Sequence, residues 1–413
     1  MSDGDIRTSA EAAALSSSGE TGVEEIEGID TGRFRPERKE RLRSFVTRYG
    51  LLLAIPITLV LIWIVAVLLD VSKGKDLTVM RFPEAFFTWG NFQGMFNIAV
   101  LYIVLAVALT IPLSLGEFDL SIANGAQLWS ALLVALIVRN SSLFGLNFKD
   151  IPWPITVLLV LLFATAVGIG IGALIVWSKV NAFIVTLGAG LIYFGFELRI
   201  VDNRPLGALA AEQLPQLFKD IGNKFFPGDF FGTVSKPLIG KVGDNWNLGI
   251  FGSGPQLGVQ ISFLIAIVFA IVLWFIMERT VMGRQIRAVG GNAEAARLSG
   301  VRVDALRIFG FAITAGAAGL AGWLTAAQSQ QYTPNAVTAL LLPAYAACFL
   351  GATAFRPNLF QISGTLVGVA FLVALTNGLL IAGLEQAFIQ VISGAVLILA
   401  VVLAKLASRG SAG

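Results

Sequence analysis

Long apolar runs, separated by short polar or glycine-containing stretches, make up most of the chain from residue 51 onward. The hydrocarbon core of a bilayer, about 30 Å thick, requires roughly 20 apolar residues of helix. Ten runs approach this length, at 51–69, 95–115, 122–138, 155–177, 182–201, 259–277, 308–326, 336–354, 359–384 and 387–404. The pattern therefore predicts an all-α, polytopic integral membrane bundle of about ten transmembrane helices.

The second and third runs meet with almost no connector between them. Residues 115–121 read LGEFDLS, and Pro112 lies just before them. Backbone groups freed by a helix break are tolerated in a membrane only where protein or a water-filled path satisfies them. The stretch predicts either a sharp turn or an inner helix broken inside the membrane, and we expect this region to border a passage.

Composition supports the membrane assignment and argues against several kinds of chemistry. Of 413 residues, 56% are hydrophobic and 13% are charged, which is more apolar than a water-soluble protein of this size needs. The chain has no histidine, one cysteine (Cys348) and no GxxxxGK[ST] phosphate loop. We therefore expect no intrachain disulfide, metal site, catalytic residue or ATP hydrolysis on this polypeptide. Its basic residues lie beside the apolar runs and do not indicate nucleic-acid binding.

The ends of the chain set its expected orientation. Residues 1–48 are acidic up to residue 31 and then rich in Arg and Lys, and we expect them to form a disordered tail. Basic residues concentrate on the cytoplasmic side of membrane proteins, so ten crossings place both termini in the cytoplasm. Residues 49–413 then form the transmembrane domain in the cell inner membrane, with an external segment at 202–258 and a cytoplasmic loop at 278–307.

Small residues recur at every fourth position in two of the runs. Ala164, Gly168 and Gly172 form one such series, and Gly364 and Gly368 form another. Small side chains let membrane helices approach closely, so these positions predict tight helix packing.

The loop at 278–307 has the pattern of a short helix that serves as a docking surface. Asn292 suits a helix N-cap, Glu294 suits the first turn, and Gly300 can end the helix in a left-handed conformation. The glycine pair before Asn292 is expected to form a tight turn. The residues assigned to this surface are Gly290, Gly291, Asn292, Glu294, Arg297, Leu298, Ser299 and Gly300. A solvated loop that only obeys charge bias is the alternative.

Proton or sodium coupling often uses an acidic pair in the middle of membrane helices, and the sequence predicts no such pair. Glu117, Asp119, Glu197 and Arg199 all lie near the ends of their runs. We therefore expect energy to arrive through a partner docked on the loop at 278–307.

Several stretches resemble a known family. Residues 287–301, RAVGGNAEAARLSGV, resemble the cytoplasmic loop of ribose- and xylose-type permease subunits of bacterial ABC transporters. In the same order as in that family, residues 116–121 resemble its Gly-x-x-Asp-Leu-Ser element, 181–187 its Ala-Phe-Ile-Val-Thr-Leu segment and 364–383 its C-terminal helix. The resemblance covers roughly residues 97–404.

The resemblance implies a permease that translocates a monosaccharide or related polyol and is not itself an enzyme. It implies two cytoplasmic ATP-binding subunits, which hold ATP and magnesium, under the loop at 290–300. It also implies an extracytoplasmic sugar-binding protein and a second permease copy or a paralogue. An ion-coupled secondary sugar transporter acting alone is the alternative, and a lipid-handling or scaffolding membrane protein is a third hypothesis.

Sugar recognition needs amides, carboxylates and aromatic faces, because hydroxyl groups require donors and acceptors while sugar C–H faces stack on rings. Candidates for the substrate passage are Asn97, Glu117, Asp119, Asn124, Gln127, Trp129, Tyr193, Trp323, Gln328 and Asn377. Each could instead form an interhelical hydrogen bond or an interfacial anchor, and Asp119 could cap the next helix. Candidates for contact with the binding protein are Asp202, Asn203 and Arg204, which could instead form the outer gate or a simple surface turn.

Overall fold

The computed structural model describes residues 55–64, 67, 85–138, 142–143, 146–147, 151–201, 214–227, 258–353 and 359–409. These residues all belong to one structural unit, which begins at Phe45. The tail predicted for residues 1–48 lies outside the described residues. So do Asp202, Asn203 and Arg204, together with most of the predicted external segment.

Helices account for nearly all of the described residues. They are α1 (Ile55–Ile64), α2 (Trp89–Ser114), α3 (Ile122–Val138), α4 (Trp153–Ser178), α5 (Ala182–Val201), α6 (Gln216–Asn223), α7 (Ile261–Arg279), α8 (Val281–Gly291), α9 (Ala293–Leu298), α10 (Val303–Ser329), α11 (Leu341–Ala352), α12 (Ile362–Ile381) and α13 (Gln386–Arg409). A 3-10 turn, Thr338–Leu340, precedes α11. Strands β1 (Ser142–Leu143) and β2 (Leu146–Asn147) form one antiparallel ribbon, and β3 (Phe225–Pro227) and β4 (Gly258–Gln260) form another.

Among the described residues, six helices are long and apolar enough to cross a membrane: α2, α4, α5, α7, α10 and α12. Four shorter apolar stretches lie where the other crossings were predicted, at α1, at α3, at Thr338–Ala352 and at Ala387–Val396 within α13. The predicted all-α polytopic bundle is therefore confirmed, and α3 and α5 begin and end at the predicted residues.

Burial separates the central helices from those at the periphery. The most apolar windows of α2 and α10 are 78% and 67% buried, whereas those of α4, α5 and α7 are only 28% to 33% buried. The exposed faces of the peripheral helices carry large apolar side chains such as Leu162, Leu191 and Phe275. Lipid tails accept such side chains as readily as protein does, so these faces suit contact with a bilayer.

The small-residue series on α4 packs closely on another helix, as predicted, and that helix is α10. A Cβ atom on Gly168 would lie 2.4 Å from the Cβ atom of Ala315, and one on Gly172 would lie 2.8 Å from the Cα atom of Ile308. No larger side chain fits at these separations. The glycines therefore permit the close contact between a peripheral helix and a central one.

Helices α2 and α10 run antiparallel through the centre, while α3 runs alongside α10 in the same direction. At one end, the Gln328 side chain donates to the Asn97 carbonyl oxygen at 3.2 Å. A Cβ atom on Gly125, early in α3, would meet the methyl group of Ala318 at 3.4 Å. Helix α3 therefore begins beside the middle of α10, well inside the bundle.

Candidate functional site

Residues 115–121, the α2–α3 connector, turn back into the bundle. Gly116 adopts a φ of 81°, a left-handed conformation that favours glycine. The following residues are non-helical up to the start of α3 and reach Thr314, which lies eleven residues, or about 16 Å, along α10. The predicted inner broken helix is therefore confirmed.

The carboxylate of Asp119 holds this connector in place. Its Oδ1 atom accepts hydrogen bonds from the Ser121 backbone N–H at 2.9 Å and the Ser121 hydroxyl at 2.6 Å. Its Oδ2 atom accepts from the Thr314 hydroxyl at 2.5 Å. Asp119 thus supports the N-terminal end of α3, although it lies two residues before Ser121, the residue at the N-cap position. Both of its oxygens are occupied by protein donors.

Backbone groups of the α2–α3 connector bond to side chains from two other helices. The Tyr345 hydroxyl on α11 accepts from the Asp119 N–H at 2.9 Å and donates to the Asp119 carbonyl oxygen at 2.8 Å. The Leu120 N–H donates to the Thr186 hydroxyl on α5 at 3.1 Å. These bonds satisfy non-helical backbone inside the bundle, which is the condition for such backbone to exist within a membrane.

A second non-helical segment, residues 330–337 or the α10–α11 connector, enters from the opposite end. The Gln127 side chain on α3 donates to the Thr333 carbonyl oxygen at 2.6 Å and accepts from the Val337 N–H at 3.1 Å. The Tyr332 hydroxyl donates to the Glu197 carboxylate on α5. This connector is therefore also fixed by side chains of helices deep in the bundle.

The two connectors are bonded in a reciprocal way. Gln127, which holds the α10–α11 connector, lies eight residues after Asp119, and Tyr345, which holds the α2–α3 connector, lies eight residues after Val337. Each helix that follows one connector thus supplies the side chain that bridges the other. Helix α5 bonds to both connectors, because its Thr186 contacts one and its Glu197 contacts the other.

Two acidic side chains are buried, although neither lies in the middle of a membrane helix: Asp119 belongs to the α2–α3 connector, and Glu197 lies near the end of α5. Asp119 and Glu197 are each only 3% exposed. Within the part of the chain that the structure describes, neither carboxylate forms an ion pair with a basic side chain. A position near the end of an apolar run does not place these residues at the surface, because the α2–α3 connector folds inward and Tyr332 of the α10–α11 connector packs on Glu197.

At the end of the bundle where α2 stops, α8 and α9 form the predicted polar segment. The Asn292 side chain accepts from the Ala295 N–H at 3.0 Å and caps α9. Glu294 lies in its first turn, and Gly300 has a φ of 83° after its last turn. The short helix with an Asn292 cap and a left-handed Gly300 is therefore confirmed.

The tight turn predicted for Gly290 and Gly291 is wrong, because both are helical residues at the end of α8. Gly290 instead permits a close contact with α2: a Cβ atom there would lie 1.9 Å from the Ser114 carbonyl oxygen. Gly291 has no neighbour within 4 Å of such an atom. The two glycines therefore differ in role, and only Gly290 joins α8 to the end of α2.

The surface of α9 is partly apolar. Leu298 is 83% exposed, whereas Ala296 is buried against the rest of the protein. Arg297 forms an ion pair with Asp304 at 3.1 Å, and the Ser299 hydroxyl donates to the Ala295 carbonyl oxygen at 2.9 Å. An exposed leucine beside a paired arginine gives α9 both an apolar and a charged element for contact with another protein.

Sequence candidates for the passage separate into two groups. Asn124, Trp129 and Tyr193 join Asp119 and Gln127 where α3 meets α5: the Trp129 and Tyr193 ring centroids lie 5.9 Å apart, and a Cβ atom on Gly190 would lie 3.0 Å from the Asn124 amide nitrogen. The remaining candidates lie elsewhere in the bundle. These are Glu117 in the α2–α3 connector, Asn97 and Gln328 between α2 and α10, Trp323 on α10, and Asn377 on α12.

Asn377 lines a separate cavity of about 460 Å³ among α2, α11, α12 and α13. Its side-chain amide donates to the Asn91 side chain at 2.8 Å, which fixes its orientation. The cavity is lined mainly by apolar groups, with a few hydroxyls and amides between them. Asn377 is therefore not part of the group around Asp119.

Several residues that hold the connectors were not among the candidates from the sequence, namely Thr186, Arg307, Thr314, Tyr332 and Tyr345. The rarity of tyrosine in the sequence could have indicated two of these residues. The chain has only five tyrosines, and Tyr193, Tyr332 and Tyr345 all lie in this polar interior. A tyrosine within or beside an apolar run usually needs a partner for its hydroxyl. On this ground Tyr332 and Tyr345 could have been identified as polar interior residues.

Comparison with known proteins gives relatives that are permeases. The chain is 26% identical to the ribose import permease protein RbsC of Haemophilus influenzae over 320 residues, which cover 77% of this chain and 86% of that protein. It is 27% identical to RbsC of Escherichia coli over 316 residues, covering 76% and 86%. It is 25% identical to the xylose transport system permease protein XylH of E. coli over 358 residues, covering 76% and 87%. No solved structure gives a significant match.

Most of the length of the chain matches one protein family. Residues 91–401 match the family described as "Branched-chain amino acid transport system / permease component", a range that contains both connectors, α8 and α9. This match and the permease relatives confirm the resemblance that the sequence indicated. Together with the apolar helices, they establish a multi-pass membrane protein, and the chain belongs to this family of transport-system permease components.

Proposed function

We propose that this chain is the membrane-spanning subunit of an ATP-binding-cassette importer for a monosaccharide or related polyol. Family membership supports the transport role, and relatives named as ribose import and xylose transport permeases support the substrate class. In this proposal two separate subunits hydrolyse ATP with magnesium, and an extracytoplasmic binding protein delivers the sugar. A second copy of the chain or a paralogue completes the membrane part, and both termini lie in the cytoplasm.

The observation that carries this proposal is a pair of contacts: one links α8 to the end of α2, and the other links α10 to the α2–α3 connector. Gly290 packs against the Ser114 carbonyl oxygen, and Arg307 forms a 2.5 Å ion pair with Glu117. An ATPase subunit that moves α9 would therefore also move both ends of the segment from Ser114 to Glu117. The short helix α9, with its exposed Leu298, is the docking surface in this scheme.

From the α2–α3 connector the movement passes into the interior. Asp119 is bonded to α10 through Thr314 and to α11 through Tyr345, while Gln127 bonds α3 to the α10–α11 connector. A displacement at one end therefore changes the position of non-helical backbone at the other. We infer that the two connectors open the passage alternately, which is a population shift between two arrangements of the same contacts.

The passage itself is proposed to run beside Asp119, Asn124, Gln127, Trp129 and Tyr193. This group combines amides, a carboxylate and aromatic rings, which suit a polyhydroxylated substrate. Asn377 and its cavity are proposed as a second polar point on the route. Contact of the binding protein with Asp202, Asn203 and Arg204 stays a proposal from the sequence.

Reconstitution tests the proposal. The purified chain, its ATPase subunits and its binding protein are placed in proteoliposomes, and uptake of radiolabelled D-ribose and D-xylose is measured with and without ATP. We expect uptake that requires ATP and the ATPase subunits. Uptake driven by a proton or sodium gradient in vesicles that contain only this chain would overturn the proposal in favour of a secondary carrier.

Co-purification tests the docking surface separately. Leu298→Glu should abolish retention of the ATPase subunits by the tagged chain, because a charge replaces an exposed apolar contact. Leu217→Glu on α6 is the matched control, since Leu217 is also largely exposed, at 67%, but lies at the other end of the bundle. Equal retention by the two variants would exclude α9 as the docking element.

A further inference from the structure

Three buried side chains where α3 meets α5 carry a polar atom without a hydrogen-bond partner among the described residues. The atoms are Nε1 of Trp129, the hydroxyl oxygen of Tyr193 and Oε2 of Glu197. The three residues are only 2%, 6% and 3% exposed. Buried polar atoms are nearly always hydrogen-bonded, so three such atoms in one region leave donors and acceptors free for a ligand.

The three side chains lie close together. The rings of Trp129 and Tyr193 are in contact, with centroids 5.9 Å apart. Tyr193 and Glu197 are four residues apart on α5 and therefore share one face of that helix. The other oxygen of Glu197 accepts from the Tyr332 hydroxyl, and the Gln127 side chain also lies within reach of that hydroxyl. The group thus lies directly under the α10–α11 connector.

The unpartnered atoms have the chemistry of a site for alcohol hydroxyl groups. An indole N–H can only donate, a carboxylate oxygen can only accept, and a phenol can do both. A hydroxyl group both donates and accepts, so neighbouring hydroxyls of one ligand can pair with Trp129 and Glu197 at the same time. An ammonium group would satisfy Glu197 but would leave the Trp129 N–H without an acceptor. The aromatic rings supply faces for the C–H groups of a sugar.

We propose that Trp129, Tyr193 and Glu197 form a binding station for the hydroxyl groups of the sugar in transit, with Tyr332 closing it. This inference rests on the proposed function and adds Glu197 and Tyr332 to the residues of the passage. Release of the Tyr332 hydroxyl from Glu197, as the α10–α11 connector moves away, admits the sugar. The sugar hydroxyls then replace that bond and pair with the Trp129 and Tyr193 groups.

The test uses the complete transporter in proteoliposomes, with saturating binding protein and D-ribose or D-xylose as the probe. The measured quantity is the number of sugar molecules taken up per ATP hydrolysed. Trp129→Phe and Glu197→Leu should lower this ratio about tenfold, because a site that pairs with hydroxyls loses its partner atoms. Glu197→Gln keeps an acceptor oxygen and should fall by less than Glu197→Leu. Trp153→Phe is the control, because Trp153, at the start of α4, packs on Phe218 of α6 and is not part of this group.

The outcomes separate this inference from the proposed function. Absence of ATP-dependent uptake of either sugar by the wild-type protein would refute the proposed function, and the station with it. Normal wild-type uptake together with an unchanged sugar-to-ATP ratio in Trp129→Phe and Glu197→Leu would refute the station alone. A purely structural role would lower ATP hydrolysis and uptake in parallel, with Glu197→Gln no better than Glu197→Leu, and that result would also refute it. Detergent-solubilised variants are first compared by size-exclusion chromatography, so that only folded protein enters the assay.

Discussion

Arg307, early in α10, forms an ion pair of 2.5 Å with Glu117 of the α2–α3 connector. Both side chains are largely buried, at 24% and 16% exposed, so the pair is less screened by solvent than a surface pair. The ion pair therefore joins α10, which directly follows α8 and α9 in the chain, to the α2–α3 connector. In the proposed mechanism, a movement of the start of α10 would therefore reach the connector directly.

Charge reversal of either residue should uncouple the transporter. Glu117→Arg places two positive charges together and should reduce ATP-dependent sugar uptake in proteoliposomes by about tenfold, a typical size for a coupling effect. Arg307→Glu should do the same with two negative charges. The combined swap, Glu117→Arg with Arg307→Glu, should recover a large part of the uptake. Failure of the swap to improve on the single variants would show that the pair does not transmit the movement.

Substitution of Gly290 should disturb the contact between α8 and α2. In Gly290→Ala the new methyl group would lie 1.9 Å from the Ser114 carbonyl oxygen, so one helix must shift, at a cost of about 1–3 kcal/mol for overpacking. We expect a lower thermal midpoint in detergent and weaker coupling between ATP hydrolysis and uptake. Gly291→Ala is the matched control, because an added methyl group there has no neighbour within 4 Å. Equal effects of the two substitutions would contradict the contact.

The contrast between these two glycines shows where local sequence reasoning succeeds and where it fails. The Asn292 cap and the left-handed Gly300 follow from local rules, since both depend on residues within one or two turns. The role of Gly290 depends on Ser114, which is far away in sequence, and no local pattern contains that contact. Local reasoning therefore assigned to both glycines a turn that neither forms.

The same distinction applies to the interior. The apolar runs predicted the bounds of α3 and α5 because a span is defined by its own composition. Asp119 was recognised as a possible cap for the same reason. Its partners Thr314 and Tyr345 are 195 and 226 residues away, and the inward path of the connector that brings them together is set by the whole bundle. The burial of Asp119 and Glu197 could not be predicted for that reason.

Removal of a bridging side chain from either connector should destabilise the bundle. Gln127→Leu leaves the Thr333 carbonyl oxygen and the Val337 N–H without their partner. Tyr345→Phe does the same to the Asp119 N–H and carbonyl oxygen. Each unsatisfied buried group costs about 1–3 kcal/mol, so both variants should unfold at clearly lower temperature in a thermal-shift measurement.

Thr376→Val provides the control for these two substitutions. Among the described residues, the Thr376 hydroxyl donates only to carbonyl oxygens of its own helix, those of Leu372 and Val373, so its loss leaves no described backbone group unpaired. Its thermal midpoint should stay close to that of the wild-type protein. If Gln127→Leu or Tyr345→Phe were as stable as Thr376→Val, the connectors would not depend on the reciprocal bonds.

The short helix α6 should lose stability at acidic pH through Asp220. Burial opposes the charge of this carboxylate, but hydrogen bonds from Lys224 and Gln216 and the charges of Lys224 and Lys219 outweigh it, so the pKa of Asp220 lies below its ordinary value of 3.8. A lowered folded-state pKa means that the ionised carboxylate stabilises the fold above the ordinary pKa, and that this contribution is lost as pH falls through the folded-state value. We expect the backbone amides of α6 to exchange faster in Asp220→Asn than in the wild-type protein at pH 6. The amide exchange of α6 in the two proteins should converge well below pH 3.8, and an equal difference at both pH values would show that the charge of Asp220 is not the cause.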